Sequence, residues 1–574
     1  MTMSSNSVLI VGSGPTGLTV AAELLRQGVT SITIIDKLAG PLRQTKASTT
    51  WPRTLEQLAR YSGVLPALHA RCDLIHRFVV QTTPTTVLRE IILGNHFPSE
   101  HPHGLLTEQW YMEQCLREYV NRAGVHVTYN AELVGYEYCD DVVAATIVYD
   151  KGTTSERTET TEFAYVVGCD GARSGLRKHI GAGFPGELSP YAFAGIHFTS
   201  STPVPMLHRD ALTIAIYDQG GCFISAMPEN SYLAILDLSA EQDAAYVSPI
   251  EKDAHGLPVL LDFTRDQMQS LLTERVSPDI TLKDVVWSTH FRVNFRLSDK
   301  YYDGNRVLLA GDACHCHTPL LGQGMNVGIQ DAVNLGWKLA LILQGKSPRS
   351  LLHSYATERR DVGKELIAAT LRAQKPFSQR DPALQRLRNT IVQTVTASTA
   401  FLDSWAGALG ELSTTYRSVS PLAVESWAPV SVLNQPIVRA HQLWLQYSSR
   451  ARVCAGDRWP TNALASSPMA STGFELFVFQ GLNGYSSAAL SDLEVLAVEV
   501  VEAASGCITH VHIEPGTNEA LHATIGVHGS CLFVVRPDGY VGLRSEPANA
   551  HDVAAYFAQH FFNPQASVHK KATE

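Results

Sequence analysis

The sequence predicts an α/β protein in three parts: a Rossmann-like dinucleotide-binding unit, a β-sheet unit inserted into it, and a C-terminal α/β unit. Three observations predict this. A glycine-rich turn joins a strand pattern to a helix pattern at the N-terminus, the middle of the chain alternates like a sheet, and fresh apolar strand runs begin after about residue 455. The 574 residues suffice for about three to four domains of roughly 150 residues. The expected boundaries are 1–184 and 296–445 for the two segments of the dinucleotide-binding unit with its helical region, 185–295 for the inserted sheet, and 446–574 for the C-terminal unit.

Composition narrows the function. With 45% hydrophobic and 17% charged residues the chain reads as a soluble globular protein. A formal net charge of -10 argues against nucleic acid as a partner, because phosphate recognition needs a basic face. No apolar run approaches the roughly 20 residues that span a bilayer, so no stable membrane insertion is expected. The first apolar stretch, Ser7–Val11, lacks a basic lead or cleavage pattern, and a cytoplasmic address is the expectation. Ten scattered cysteines with no CxxC pair suggest free thiols in a reducing compartment. The run Cys314-His315-Cys316-His317 lacks a second ligand pair elsewhere, so no metal is expected.

The N-terminal elements come first. Ser7–Val11 is an apolar strand run, followed by Gly12-Ser13-Gly14-Pro15-Thr16-Gly17, a G-x-G-x-x-G. Leu18, Ala21, Ala22 and Leu25 then repeat at helical spacing. A second strand run, Ile32–Ile35, ends in Asp36, with Lys37 beside it. Gly12 permits the tight turn, Gly14 lets backbone approach a pyrophosphate, and Gly17 lets helix and strand pack closely. The helix N-terminus offers N–H groups to the anion, and Asp36 accepts from ribose hydroxyls. In this strand–turn–helix–strand–acid context the motif signals a dinucleotide.

Two further anchors follow. Tyr165–Gly168 is an apolar strand run leading into Asp170-Gly171 and a polar turn with Ser174 and Arg177. Between about 185 and 295 the pattern is strand-rich: Leu212, Ile214 and Ile216 alternate with Thr213, Ala215 and Tyr217. Gly220-Gly221 and Pro228-Glu229-Asn230 mark hairpin turns there. Arg306–Asp312 is a buried strand ending in Gly-Asp, continued by a loop through Pro319, Gly322, Gly324, Met325 and Asn326 and then by a helix. Residues 346–445 read as helices with polar loops. Phe474–Phe479, Val511–Ile513 and Cys531–Val535 are buried strand runs, and Arg536-Pro537-Asp538-Gly539-Tyr540 signals a hairpin.

These three anchors, in this order, resemble the group A flavoprotein monooxygenases, the aromatic-ring hydroxylase family. The Gly-Asp segment is similar down to Asp331-Ala332-Val333-Asn334-Leu335-Gly336-Trp337-Lys338-Leu339, and the likeness covers residues from about 8 to 345. It implies FAD as cofactor, NADPH or NADH as transient co-substrate, and an aromatic, phenolic or polyketide-like substrate hydroxylated with O2 through a flavin hydroperoxide. It implies that Gly12, Gly14, Pro15, Thr16, Gly17, Asp36, Lys37, Lys46, Gln109 and Asp170 serve the cofactor. Asp312 would bind the ribityl chain, and the backbone around Gly322, Gly324, Met325 and Asn326 would face the flavin. Pro319 would line the flavin face where oxygen is transferred. Phe291 stands where phenol hydroxylases are expected to carry a substrate-facing tyrosine, and Ser48 where they carry an acid. Lys46 stands where many members have an arginine, which makes a fork that lysine cannot. Leu321 stands where many members have glycine.

Phenol hydroxylase relatives also end in a thioredoxin-like domain with a similar Arg-Pro-Asp-Gly-Tyr segment. Without CxxC, such a domain here would be structural or would support a homodimer. Baeyer–Villiger oxygenation or epoxidation of a natural-product intermediate is the alternative within the same chemistry, and a flavin-binding non-catalytic regulator is a third reading. Flavin halogenases share the FAD half but carry a Trp-x-Trp-x-Ile-Pro motif, and none of the eight tryptophans here pair that way.

Overall fold

The computed structural model describes residues 7–562 apart from 46, 203, 205–206, 253–257, 261, 428–452, 462–470, 482–486, 505 and 528. At its base is a five-stranded sheet of Val8–Val11, Ile32–Ile35, Val127–Thr128, Tyr165–Gly168 and Val307–Leu309, all parallel. Val8–Val11 lies at its centre, so the glycine turn opens at the carboxyl end of the sheet, where doubly wound folds bind ligands. The helices Pro15–Arg26, Gln109–Arg122 and Gly324–Leu343 pack around this sheet. Two glycines let Gly324–Leu343 approach Pro15–Arg26 closely. A Cβ on Gly328 would sit 2.6 Å from Thr16 Oγ1, and one on Gly336 would sit 2.6 Å from Glu23 Cγ.

Above lies an eight-stranded sheet ordered 315–316, 282–297, 186–200, 231–238, 220–227, 211–217, 77–83 and 86–92. It therefore extends beyond the 185–295 stretch, recruiting the hairpin 77–92 from upstream and His315–Cys316 from downstream. The first hairpin turns at Asp218-Gln219, just before Gly220-Gly221, which are already paired in the strand, whereas Pro228–Asn230 turns the next as expected. Ala211–Tyr217 is covered on both faces rather than half-exposed. Ala215 and Tyr217 pack into a core with the helix Arg265–Arg275, while Leu212 and Ile214 face the nucleotide unit.

The C-terminal sheet is mixed, ordered 424–427, 541–546, 531–535, 474–479 and 508–514, with helices Ser487–Ala503, Glu519–Ile525 and Ala550–His560. Its edge strand Val424–Trp427 pairs in parallel with Val541–Glu546 and begins before the expected boundary at 446. No helix among the described residues is long and apolar enough to cross a membrane.

Candidate active site

The strand Val8–Val11 ends at Gly12, whose φ is +104°. A Cβ there would lie 2.3 Å from the carbonyl oxygen of Cys169, so a side chain cannot be accommodated. Gly17 faces back onto the same turn, where a Cβ would lie 2.0 Å from the Gly12 oxygen. Gly14 is different. Its φ is an ordinary −71°, and nothing lies within 4 Å of a Cβ placed on it. Its missing side chain leaves open the space in front of the turn.

That space is a cavity of about 570 Å3, within the range of ligand sites, and Gly12, Gly14, Asp36, Lys37, Gln109 and Asp170 all line it. The helix beginning at Pro15 points its unpaired N–H groups toward this end. Asp36 is held rigidly: one oxygen accepts from Ser13 N and Oγ, both at 2.8 Å, and the other from Leu38 N at 3.0 Å. Gln109 opens its helix and donates to Glu113 at 2.9 Å. One oxygen of Asp170 accepts from Gly175 N at 2.8 Å and Leu176 N at 3.2 Å. Its other oxygen is buried without a partner among the described residues. An orphaned carboxylate oxygen in a cavity wall calls for a donor from a bound molecule. A glycine-lined helix N-terminus, the carboxylates of Asp36 and Asp170, and the cations Arg117, Arg173 and Lys178 in the same wall together fit the phosphates and hydroxyls of FAD. Ser13 and these three cations were not singled out from the sequence. Arg173 and Lys178 flank Ser174–Arg177, so the polar turn after the Asp-Gly motif carried their signal unread.

The Gly-Asp loop lies outside this cavity's wall but is tied to it. Thr16 fills the notch left by Gly311 and Gly328, and its N–H is the group it can offer a ligand. Arg177 donates to Ala313 O at 3.0 Å, joining the second anchor to the third. Asp312 sits exposed on the turn Gly311–Ala313. Pro319 begins the turn Pro319–Leu321, closed by Gly322 N donating to Pro319 O at 2.8 Å. Gly324 and Met325 begin the long helix, whose first N–H groups have no intrahelical acceptor. The Asn326 side chain is fully engaged: it accepts from Trp51 N at 2.8 Å and donates to Thr49 O and Gly322 O at 3.0 and 2.8 Å. Its N–H remains the group available to a ligand. Phe291 stacks on Phe193 across the sheet with centroids 5.6 Å apart, as part of the wall above this loop. Lys46 lies outside the described residues.

The two histidines of this loop separate cleanly. His315 is buried, with Nε2 2.9 Å from Asp331, and its role is structural. His317 instead points Nδ1 at Thr318 O, 2.8 Å away. Burial first, and then the neighbouring His315, push the His317 imidazole down to about 4. No group of three or more metal-ligating side chains among the described residues is placed to hold a metal ion.

Residues 5–370 match the FAD binding domain family. A flavin-dependent monooxygenase from Mycobacteroides abscessus is 28% identical over 96% of this chain and 99% of its own length. The 12-dehydrotetracycline 5-monooxygenase/anhydrotetracycline 6-monooxygenase of Streptomyces rimosus is 31% identical over 67% of this chain and 72% of its own. The chain belongs to the FAD-dependent monooxygenases. Solved structures agree on the fold of this flavoprotein. Anhydrotetracycline hydroxylase from Streptomyces rimosus superposes with a TM-score of 0.69, at 24% identity, over 97% of this chain and 99% of its own. The matched span contains all three anchors of the monooxygenase, and the C-terminal sheet lies beyond it.

Proposed function

We propose that this monooxygenase hydroxylates an aromatic, polyketide-like or phenolic substrate, consuming NAD(P)H and O2. The observation that carries the reading is the inner face of the eight-stranded sheet. Ile214, Ile235, Trp287 and Phe291 lie on that face only half-buried, in the interior of a sheet, and Leu321 meets them from the Gly-Asp loop. Half-buried apolar side chains between two packed units form the wall of a site for a flat apolar molecule. Relatives named for tetracycline intermediates and for 3-hydroxybenzoate support the same substrate class.

FAD, when bound, supplies the chemistry, taking electrons from the nicotinamide and passing oxygen to the substrate. The chain's own residues would do the rest. Gly12, Gly14, Asp36, Lys37, Gln109 and Asp170 would hold the adenosine and pyrophosphate end. Asp312 and the N–H groups of Gly324, Met325 and Asn326 would hold the ribityl and ring end, where a helix N-terminus stabilises negative charge by up to ~2 kcal/mol. Pro319, Phe291 and Trp287 would exclude water from the reacting atoms. The C-terminal unit is proposed as thioredoxin-like in fold and structural in role, with the protein a cytoplasmic homodimer.

The test is NADPH consumption by the purified yellow protein with a panel of phenols and polycyclic aromatics, with products weighed by mass spectrometry. Stimulated consumption with a product one oxygen heavier is the expected result. Bound FAD with no stimulation by any aromatic compound would overturn the reading.

A further inference from the structure

We propose that His317 Nε2 accepts a hydrogen bond from a hydroxyl of the aromatic substrate and so positions the ring against the Pro319–Gly324 turn. The inference rests on the aromatic-hydroxylation reading above and names the group that recognises the substrate's oxygen.

The tautomer follows from geometry. Nδ1 lies 2.8 Å from the carbonyl oxygen of Thr318, which can only accept, so Nδ1 carries the proton and Nε2 presents a lone pair. Nε2 has no hydrogen-bond partner among the described residues, whereas Nε2 of His315 is taken up by Asp331 at 2.9 Å. It lies 3.3 Å from the position a Cβ on Gly324 would occupy, beside the first residue of the helix. Any side chain at 324 would crowd the imidazole, and glycine keeps the approach open.

The surroundings are those of a substrate wall. Leu320, three residues on, packs with Phe193 and the partly buried Phe291, and Leu321 packs with Trp51 and the partly buried Trp287. His317 thus sets a fixed acceptor at the edge of an apolar surface, the arrangement by which one polar group orients a flat ligand. Its imidazole, pushed down to about 4, stays neutral at physiological pH. A group so weakly basic does not strip a proton from a phenol, whose own value is about 10. It acts as a hydrogen-bond acceptor, and no proton changes owner on binding.

The experiment compares wild-type holoenzyme with His317→Leu and His317→Gln, using 1-naphthol against 1-methoxynaphthalene and 9-phenanthrol against 9-methoxyphenanthrene. Dissociation constants come from the flavin absorbance change, and KM and kcat from NADPH consumption. Wild type is expected to prefer each phenol over its ether by about five- to tenfold. His317→Leu should bring that ratio to about one through KM, and His317→Gln, which retains an acceptor, should keep part of it. Both variants should retain FAD with an unchanged visible spectrum. Undiminished discrimination in His317→Leu would overturn the proposal. So would loss of FAD or a shifted visible flavin spectrum in both variants, which would assign Nε2 to the cofactor. If the wild type itself binds none of the four compounds, the substrate reading beneath the proposal falls instead.

Discussion

Arg536 reaches from the C-terminal sheet to both carboxylate oxygens of Glu358, at 2.7 and 3.0 Å, with both side chains fully buried. The same carboxylate accepts from Lys338 at 2.8 Å, from Asn334 at 2.7 Å and from Ser420. Asp538 accepts from Arg536 and, at 3.2 Å, from Asn334, while its backbone oxygen accepts from Arg53 at 2.7 Å. Arg359, next to Glu358, donates to Tyr416 at 3.0 Å and to Asp331 at 2.5 Å. Asp331 in turn holds Gly311 N at 3.0 Å and His315 at 2.9 Å. Burial opposes ionisation of Asp331, but Arg359 and His315 hold its carboxyl below the usual range. A continuous buried polar chain therefore links the Arg-Pro-Asp-Gly-Tyr hairpin to the Gly-Asp turn. The family-like Asp331, Asn334 and Lys338 are its middle links.

Removing one partner of a buried ion pair leaves an uncompensated charge, which costs about 3–5 kcal/mol. Arg536→Met should lower unfolding free energy by about that much in denaturant titrations at neutral pH. Arg536→Lys should recover part of the loss, because lysine keeps the charge but cannot form the fork. Burial opposes ionisation of Glu358, yet Arg536 and Lys338 hold its carboxyl well below the ordinary 4.5. The stability it confers is present above 4.5 and is lost as pH falls toward the depressed value. A loss below about 1 kcal/mol in Arg536→Met would show that the docking contact is dispensable.

Gly14 and Gly17 should fail in different ways. Gly14→Ala meets no protein atom within 4 Å, so its apoprotein should unfold within about 0.5 kcal/mol of wild type. Its methyl group would occupy the cavity, and purified Gly14→Ala should carry less flavin per chain. Gly17→Ala would push against the Gly12 oxygen at 2.0 Å and should lose roughly 1–3 kcal/mol as well as flavin. Equal flavin content in Gly14→Ala and wild type would show that the space in front of Gly14 is not cofactor space.

What the sequence disclosed was set by range. Gly12, Gly14, Gly17 and Asp36 were legible because the turn and the strand ends impose them within about 25 residues, and the Asp170 and Asp312 motifs are local too. The pairing of Ile214 with Val80 was not, because strand 77–83 joins 211–217 across more than a hundred residues with no local mark of the partnership. The Arg536–Glu358 contact spans 178 residues and was equally silent. His315 and His317 look alike in a Cys-His-Cys-His run. What divides them is Asp331, sixteen residues beyond His315 and brought back by the helix.

That division bears on metal chemistry. His315 Nε2 is taken by Asp331, and the Cys314 thiol is raised well above its ordinary value by burial. Burial keeps that thiol protonated, and among the described residues no group of three or more such side chains is placed to hold a metal ion. Dialysis against EDTA should leave flavin content and NADPH consumption unchanged. A loss of either that zinc restores would reverse the assignment of this loop.

Glu411 gives the sharpest pH prediction. Its side chain is buried, one oxygen accepts from Gln330, and the other has no partner among the described residues. Burial pushes its carboxyl from 4.5 up to about 8, although Arg359, Gln330 and Arg53 pull the other way. The folded protein therefore holds a proton there that the unfolded chain releases above 4.5. The stability linked to that proton is present in full below 4.5, falls as pH rises, and levels off above about 8. Glu411→Gln keeps the shape and the acceptor for Gln330 without the titration. Relative to wild type, the variant should gain stability by roughly 1 kcal/mol per pH unit between pH 5 and 8, read from denaturant midpoints. Parallel stability curves for the two proteins across that window would mean that Glu411 stays ionised in the folded state.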